Sequence, residues 1–297
     1  MTYPASAPEV PSRTPAPPQR NGSSLGWLNG ARLSIRRGIL PVFLITAWSS
    51  PASAAPEEIQ VYMDELNEPG EIGLDIHNNY VVSGERALDY QGEQPSLHRY
   101  RITPEWSLGL TRSLELGAYL PLATIDHRGV FVDGVKFRMK WLAPRAKGQS
   151  WFWGANFEIG REDRRLDQNP WNAELKGIVG LHSGKWTIAS NANLDFKVSG
   201  PVPAPATLEI ATKLDYAISP TTAVGIENYN GTGELRRPAH FASSEQSSFI
   251  ILDTEFRKWE VNFGIGHGYG SNPDKWIAKA ILSVPFGWSI AGAHAGR

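Results

Sequence analysis

The stretch that decides the fold is GLTRSLELGAYLPL, residues 109–122. Between Leu114 and Leu122 every even position is apolar, whereas the odd positions include Glu115 and Tyr119. A period of two is the signature of a β-strand with one apolar and one polar face. The stretch therefore predicts a strand, and it raises the question of whether lipid or a protein core covers the apolar face.

The same alternation recurs along the chain after residue 70. Strands of soluble proteins average about five or six residues, whereas a tilted strand that crosses a bilayer needs about nine to eleven. The predicted strands have the longer length, and short turns alternate with longer polar links such as 83–95, 124–131 and 231–246. The predicted strands are 70–82, 96–109, 113–125, 131–143, 150–162, 172–183, 185–197, 206–218, 221–230, 247–257, 259–269 and 275–286.

The apolar faces of these strands carry no charge, and the opposite faces are strongly charged. A charge on a lipid-facing position costs up to about 2–4 kcal/mol near the membrane midplane. We therefore predict an all-β fold, a transmembrane antiparallel up-and-down β-barrel of about twelve strands. Its apolar face would meet lipid and its charged face the lumen. The alternative is a periplasmic sheet protein whose apolar face packs on an internal core.

The charged inner faces supply the candidate pore-lining residues. Lys136, Arg138 and Lys140 form a basic ladder on one strand, and Glu115 and Glu158 on the neighbouring strands would pair with it in register. Two interpretations stay open: a structural network that packs the lumen, or a constriction of both signs that selects solutes. The full candidate set is Asp75, His77, Arg99, Arg101, Glu105, Glu115, Lys136, Arg138, Lys140 and Glu158.

The first 54 residues differ in composition from the rest. Residues 1–24 are rich in Pro, Ser and Ala and are expected to be disordered. Three arginines within 32–37 precede the apolar segment 38–48, and an A-x-A site ends at Ala54. This order is typical of a secretory signal cleaved near Ala54. The alternative is an uncleaved anchor, for which an 11-residue apolar core is short. Export favours the outer membrane of a Gram-negative-type cell.

Three further segments complete the predicted organisation. Residues 55–69 form an N-terminal extension, an extra strand or a plug, and this acidic segment could reach Arg99, Arg101 or Lys136 in the lumen. Residues 70–286 form the barrel, and residues 287–297 form a C-terminal tail.

Several classes of chemistry find no support in the sequence. The absence of cysteine excludes disulfides, Cys-ligated zinc and thiol catalysis. No HExxH motif and no GxSxG elbow occurs. Removal of the leader takes away five arginines and one glutamate, so the mature chain is mildly acidic, which argues against nucleic acid as a partner. We expect no cofactor, no metal site and no catalysis, with outer-membrane lipid and a small-molecule solute as partners.

The stretch RITPEWSLGLTRSLELGAYLPL, residues 101–122, resembles the first hairpin of the outer-membrane barrel proteins associated with the meta-pathway of phenol degradation. The shared features are a Pro-Glu pair, a short Thr-containing turn, Leu-Glu-Leu-Gly and a Pro-terminated strand. The resemblance implies an outer-membrane barrel that admits hydrophobic or aromatic compounds. Twelve strands enclose a lumen that side chains can largely fill, which predicts a narrow channel for small molecules or no open pore. Such barrels commonly end at an aromatic residue; here GWSIAGAHAGR follows Phe286.

Two alternatives to a channel stay open from the sequence. The first is a structural or adhesion barrel with a plugged lumen, whose loops 83–95 and 231–246 bind partners. The second is an outer-membrane lipase that uses His182 and Ser183. Adjacent residues of a strand point to opposite faces, which makes the second alternative the weaker one.

Overall fold

Twelve antiparallel strands close into a barrel in the computed structural model, which describes residues 58–285. Each strand pairs with its neighbour in sequence, and the last strand pairs with the first from Leu74↔Val284 to Ser83↔Trp276. The predicted all-β up-and-down barrel is confirmed. The predicted leader 1–54, the residue Phe286 and the tail 287–297 lie outside the described residues.

The strands of the barrel are long, nine to fourteen residues each. They are β1 (Ile72–Ser83), β2 (Tyr100–Thr111), β3 (Leu114–Asp126), β4 (Gly129–Leu142), β5 (Trp151–Glu162), β6 (Trp171–Ser183), β7 (Trp186–Ser199), β8 (Thr207–Ser219), β9 (Thr222–Glu234), β11 (Glu245–Phe256), β12 (Trp259–Gly270) and β13 (Trp276–Val284). The two-residue strand β10 (Arg237–Pro238) extends the end of β9, and a single turn of 3₁₀ helix spans Phe241–Ser243. No helix within residues 58–285 is both long and apolar enough to cross a membrane.

The two ends of the barrel differ in their connections. At one end, here called the short-turn end, the connections are 112–113, 143–150, 184–185, 220–221 and 257–258. At the other, the long-loop end, they are 84–99, 127–128, 163–170, 200–206, 235–244 and 271–275.

The prediction of a long link at 124–131 is wrong. β3 and β4 continue pairing through Thr124↔Phe131 and Ile125↔Val130 as far as Asp126↔Gly129, because the β-branched and aromatic residues there suit a paired strand. A two-residue turn remains.

Apolar side chains cover the outside of the barrel. Ile250, at the centre of β11, is 75% exposed, and Phe137 on β4 is 53% exposed. Exposed tryptophans begin five of the strands, at Trp151, Trp171, Trp186, Trp259 and Trp276. A soluble monomer rarely exposes so large a continuous apolar surface.

The alternation on β3 breaks at Pro121, beside two register irregularities in the pairing with β4. Leu120 and Pro121 are both exposed, and Leu122 is fully buried inside the barrel. The register with β4 shifts between Tyr119 and Leu122. Proline has no N–H to give to the ladder, and a bulge at this point inserts one unpaired residue. The even-position pattern therefore fails at Leu122, which faces the lumen and not the outside.

The inner face carries apolar as well as charged side chains. β5 to β9, β11 and β13 contribute buried apolar side chains to the lumen, where they pack together in one cluster. The same strands also carry buried charged residues, among them Lys213 on β8, Glu227 on β9 and Lys279 on β13. The cluster consists of Phe152, Ile178, Ala189, Ala211, Tyr229, Phe249, Ile251 and Ile277 from the strands, and Ile59, Val61 and Tyr62 from the segment before β1. The lumen therefore contains apolar side chains in addition to the charged ones that the sequence predicts.

Candidate functional site in the barrel lumen

The structure places the ten predicted pore-lining residues on the inside of the barrel. Nine of them are less than a tenth exposed, and Asp75 is partly buried. The nine are His77, Arg99, Arg101, Glu105, Glu115, Lys136, Arg138, Lys140 and Glu158. They divide into a central network on β1 to β5 and a pair at the long-loop end, Arg99 and Arg101.

Arg138 is the centre of the first half of the network. It bonds Glu105 through Nε, and its Nη2 lies 2.8 Å from Oε1 of Glu115. Glu105 also lies 2.9 Å from Nε2 of His77. Gly117 on β3 lies opposite Arg138 on β4 and leaves space for the Arg138 side chain. A Cβ at position 117 would lie 2.6 Å from Cγ of Arg138. The predicted pairing between the basic ladder and Glu115 is thus present.

Glu158 is the centre of the second half. Its carboxylate lies 3.3 Å from Nζ of Lys136 and 3.0 Å from Nζ of Lys176. It also accepts hydrogen bonds from Asn156 Nδ2, at 2.7 Å, and from Tyr62 Oη, at 3.1 Å. Buried charges are stable only when they are paired and hydrogen-bonded in this way.

Residues 58–67, here called the inserted segment, lie inside the barrel. Tyr62 at its centre is held by the side chain of Asn191 on β7: its N–H donates to Oδ1 at 2.6 Å, and its carbonyl accepts from Nδ2 at 2.9 Å. The Tyr62 hydroxyl lies 2.7 Å from that of Tyr119 on β3. The amide of Asn191 thus substitutes for the strand partner that the Tyr62 backbone lacks, because buried backbone groups must be satisfied.

Further contacts tie both ends of the inserted segment to the strands. Inside the lumen, the carbonyl of Ile59 accepts from Lys279 Nζ at 2.9 Å. Near the short-turn end, Asp64 pairs with Arg145 at 2.6 Å, and the carbonyl of Glu65 accepts from Lys140 at 2.8 Å.

The segment's far end joins the barrel wall. Asn67 binds Glu115 through its backbone N–H and its side-chain amide, at 2.7 and 2.8 Å. Gly109 permits this close approach, since a Cβ there would lie 2.3 Å from the carbonyl oxygen of Glu68.

The side chains that hold the segment could be identified from the sequence only in part. Arg99, Arg101 and Lys136 were expected to meet the acidic segment, whereas the contacts described above use Lys140, Lys279 and Arg145. Alternation places Lys140 and Lys279 on inner faces, but it says nothing of Arg145 in the connection 143–150 or of how deep the segment reaches.

One group of side chains in the lumen has donor atoms close enough to hold a metal ion. Atoms of Glu58, His77 and Glu105 lie within 4.8 Å of one another. The group is already neutralised, since Arg138 bonds Glu105 and Nζ of Lys176 lies 3.6 Å from Glu58. We assign no metal to it.

His182 and Ser183, the pair considered for a lipase, do not form a catalytic arrangement. Nε2 of His182 lies 3.1 Å from Asp64, and its Nδ1 lies 3.1 Å from the hydroxyl of Thr187. Ser183 is exposed, and the alternation of the strand directs it away from the lumen.

Comparison with known proteins gives structural likeness at low identity. No protein-family model matches the sequence, and no curated protein matches it. Among solved structures, the NanC porin is 10% identical with a TM-score of 0.48, covering 72% of this chain and 100% of the porin. An outer-membrane channel from Pseudomonas putida F1 is 13% identical with a TM-score of 0.48, covering 76% and 99%. LpxR from Salmonella typhimurium is 8% identical with a TM-score of 0.40, covering 72% and 100%.

At these values the likeness assigns neither a family nor a function to the chain. The resemblance to barrels of the meta-pathway of phenol degradation stays a prediction.

Proposed function

We propose that this protein is an outer-membrane channel for small solutes, whose lumen the inserted segment narrows in the described state. The observation that carries the proposal is the distribution of side chains on a closed ring of strands. Exposed apolar residues lie outside, and nine of the ten predicted charged or polar residues lie buried inside. Transmembrane barrels have this arrangement, whereas small soluble barrels place their apolar core inside.

The ends of the barrel support an orientation. In bacterial outer-membrane barrels the short turns face the periplasm and the longer loops face outward. The short-turn end would then be periplasmic, and residues 58–67 would enter the lumen from that side. Glu58, which accepts from Tyr119 at 3.0 Å in mid-lumen, stands four residues after the A-x-A site at Ala54. Cleavage there would place the new N-terminus three residues before Glu58.

The proposed solute is a small molecule. Twelve strands enclose a lumen that side chains can largely fill, unlike the wide channel of 16-stranded porins. The apolar cluster beside the charged network offers a path of mixed character, which is compatible with the small, hydrophobic or aromatic solutes that the sequence resemblance implies.

Proteoliposome swelling tests solute passage. We expect vesicles that contain the folded protein to take up a small sugar or amino acid faster than vesicles without protein, and to exclude an oligosaccharide. Equal rates with and without protein would contradict the channel.

A structural or adhesion barrel is the second candidate function. It is favoured by the filled lumen, in which Tyr119, Phe152 and Lys279 are at most 1% exposed. This candidate requires that no variant of the inserted segment opens a path for solutes.

The membrane position of the outer face can be tested by arginine substitution at two depths. Ile250→Arg, at mid-strand, is expected to destabilise the barrel in lipid by about 2–4 kcal/mol. Val130→Arg, at the long-loop end of β4, should cost about 0–1 kcal/mol, although Val130 is also exposed, at 68%. Urea titrations of folding in vesicles would measure both. If both substitutions lowered the free energy of unfolding by equally small amounts, the outer face would lie in water and not in lipid.

A further inference from the structure

Arg99 occupies the long-loop end of the lumen, directly before β2, and is 1% exposed. Its Nη1 donates to the carbonyl of Gln94 at 3.1 Å. Within residues 58–285, its Nε and Nη2 have no hydrogen-bond partner. Unpaired donors on a buried charged group are costly and therefore rare in native proteins. The two nitrogens thus need a functional explanation.

Nε and Nη2 form one edge of the planar guanidinium. This edge donates two parallel hydrogen bonds to the two oxygens of a carboxylate. We propose that Arg99 binds the carboxylate group of a small organic solute at the long-loop end of the lumen. The inference rests on the proposed function, because it names the chemical class of solute that the channel admits.

The acidic groups at this end leave that edge available. Glu162 pairs with Arg101 at 2.8 Å. Asp133 pairs with Arg165 at 3.1 Å and also accepts from the hydroxyl of Thr124. The carboxylate of Asp274, buried at the same end, does not bond Nε or Nη2 of Arg99. A solute carboxylate would complete the hydrogen bonding of Arg99 without displacing an ion pair of the wall.

Loop 84–99 covers the site from outside. Gln94 holds it to neighbouring connections, donating from its N–H to the carbonyl of Arg165 and from Nε2 to Asp126, both at 2.8 Å. The same Gln94 supplies the carbonyl that holds Nη1, so movement of Gln94 and exposure of the guanidinium are coupled.

Benzoate and benzamide test the proposal, because they share a shape and differ in the carboxylate. The measurement is the temperature at which the folded, fast-migrating gel band of the detergent-solubilised barrel is lost. We expect benzoate to raise this temperature in a concentration-dependent manner and benzamide to leave it unchanged. An equal effect of the two compounds would overturn the carboxylate site, and so would tighter binding of inorganic phosphate.

Two substitutions assign the effect to Arg99. Arg99→Gln removes the charge and the bidentate edge, so benzoate affinity should fall at least about tenfold. Arg99→Lys keeps the charge without the edge and should also weaken binding, which provides a second variant if the first does not fold. Arg161→Gln is the matched control, since Arg161 is exposed at the same end of the barrel. Unchanged benzoate affinity in Arg99→Gln or Arg99→Lys would overturn the proposal.

Solute uptake, measured separately by proteoliposome swelling, distinguishes the two proposals. Benzoate binding without uptake would support the Arg99 site and contradict the channel. Uptake without benzoate binding would support the channel and contradict the site.

Discussion

Deletion of residues 58–66 is expected to widen the path through the lumen, with solute uptake and bilayer conductance rising several-fold above the wild type. The reason is that the inserted segment fills the lumen. Tyr62 is 3% exposed and contacts Asn191 on β7, Tyr119 on β3 and Glu158 on β5, so it spans the interior between distant strands. Single-channel recording in planar bilayers, with swelling of proteoliposomes, measures the change.

The barrel itself should survive this deletion. Each of the twelve barrel strands pairs with two neighbours through its own backbone, and the ladder does not use residues 58–66. Asn67, which anchors the chain to Glu115 and to Ser107 on β2, stays in place. Heat-modifiable gel mobility of the shortened chain checks that the fold is kept.

Two point variants distinguish a loss of packing by the inserted segment from a general loosening of the barrel. Tyr62→Ala should raise conductance, because it removes the hydroxyl contacts and the ring that packs in the lumen. Glu65→Ala is the matched control from the same segment: its side chain is exposed, and only its backbone carbonyl binds Lys140. A folded deletion variant that conducts no better than the wild type would mean that other side chains close the lumen, and the structural or adhesion barrel would then be preferred.

The barrel and its two faces could be predicted because they depend on a local property. Alternation with a period of two sets the face of each residue whatever its partners are, and lipid-facing positions exclude charge. Glu115 and Glu158 were therefore placed inside correctly. Leu122 was misplaced, because a single bulge reverses the alternation that follows it.

The internal contacts could not be predicted in the same way. Asn191 is one polar residue among several on an inner face, and no local pattern shows that its amide binds the backbone of Tyr62, 129 residues away. Likewise, alternation alone makes Arg99 and Arg101 equally good pore candidates. Only the fold distinguishes them, since Arg101 pairs with Glu162 and Arg99 keeps one edge of its guanidinium without a partner.

Glu158→Ala is expected to destabilise the barrel by about 3–5 kcal/mol, because it leaves buried positive charge without its partner. Glu158 is 1% exposed and pairs with both Lys136 and Lys176. Urea-induced unfolding, followed by tryptophan fluorescence in vesicles, measures the loss. Glu255→Ala is the matched control, since Glu255 is exposed at the short-turn end of β11; a surface substitution of this kind usually changes stability by less than about 0.5 kcal/mol.

The pairing itself is tested by adding Lys176→Met to Glu158→Ala. Removal of one buried partner costs more than removal of both, because the second substitution eliminates a charge that the first left uncompensated. The double variant should therefore be more stable than Glu158→Ala alone. Costs that simply add would show that Lys176 is neutralised by its other acidic neighbours, Glu58 and Glu174, at 3.6 and 3.2 Å. In that case Glu158 would act mainly through Lys136 and the hydroxyl of Tyr62, and its loss would loosen the inserted segment more than the wall.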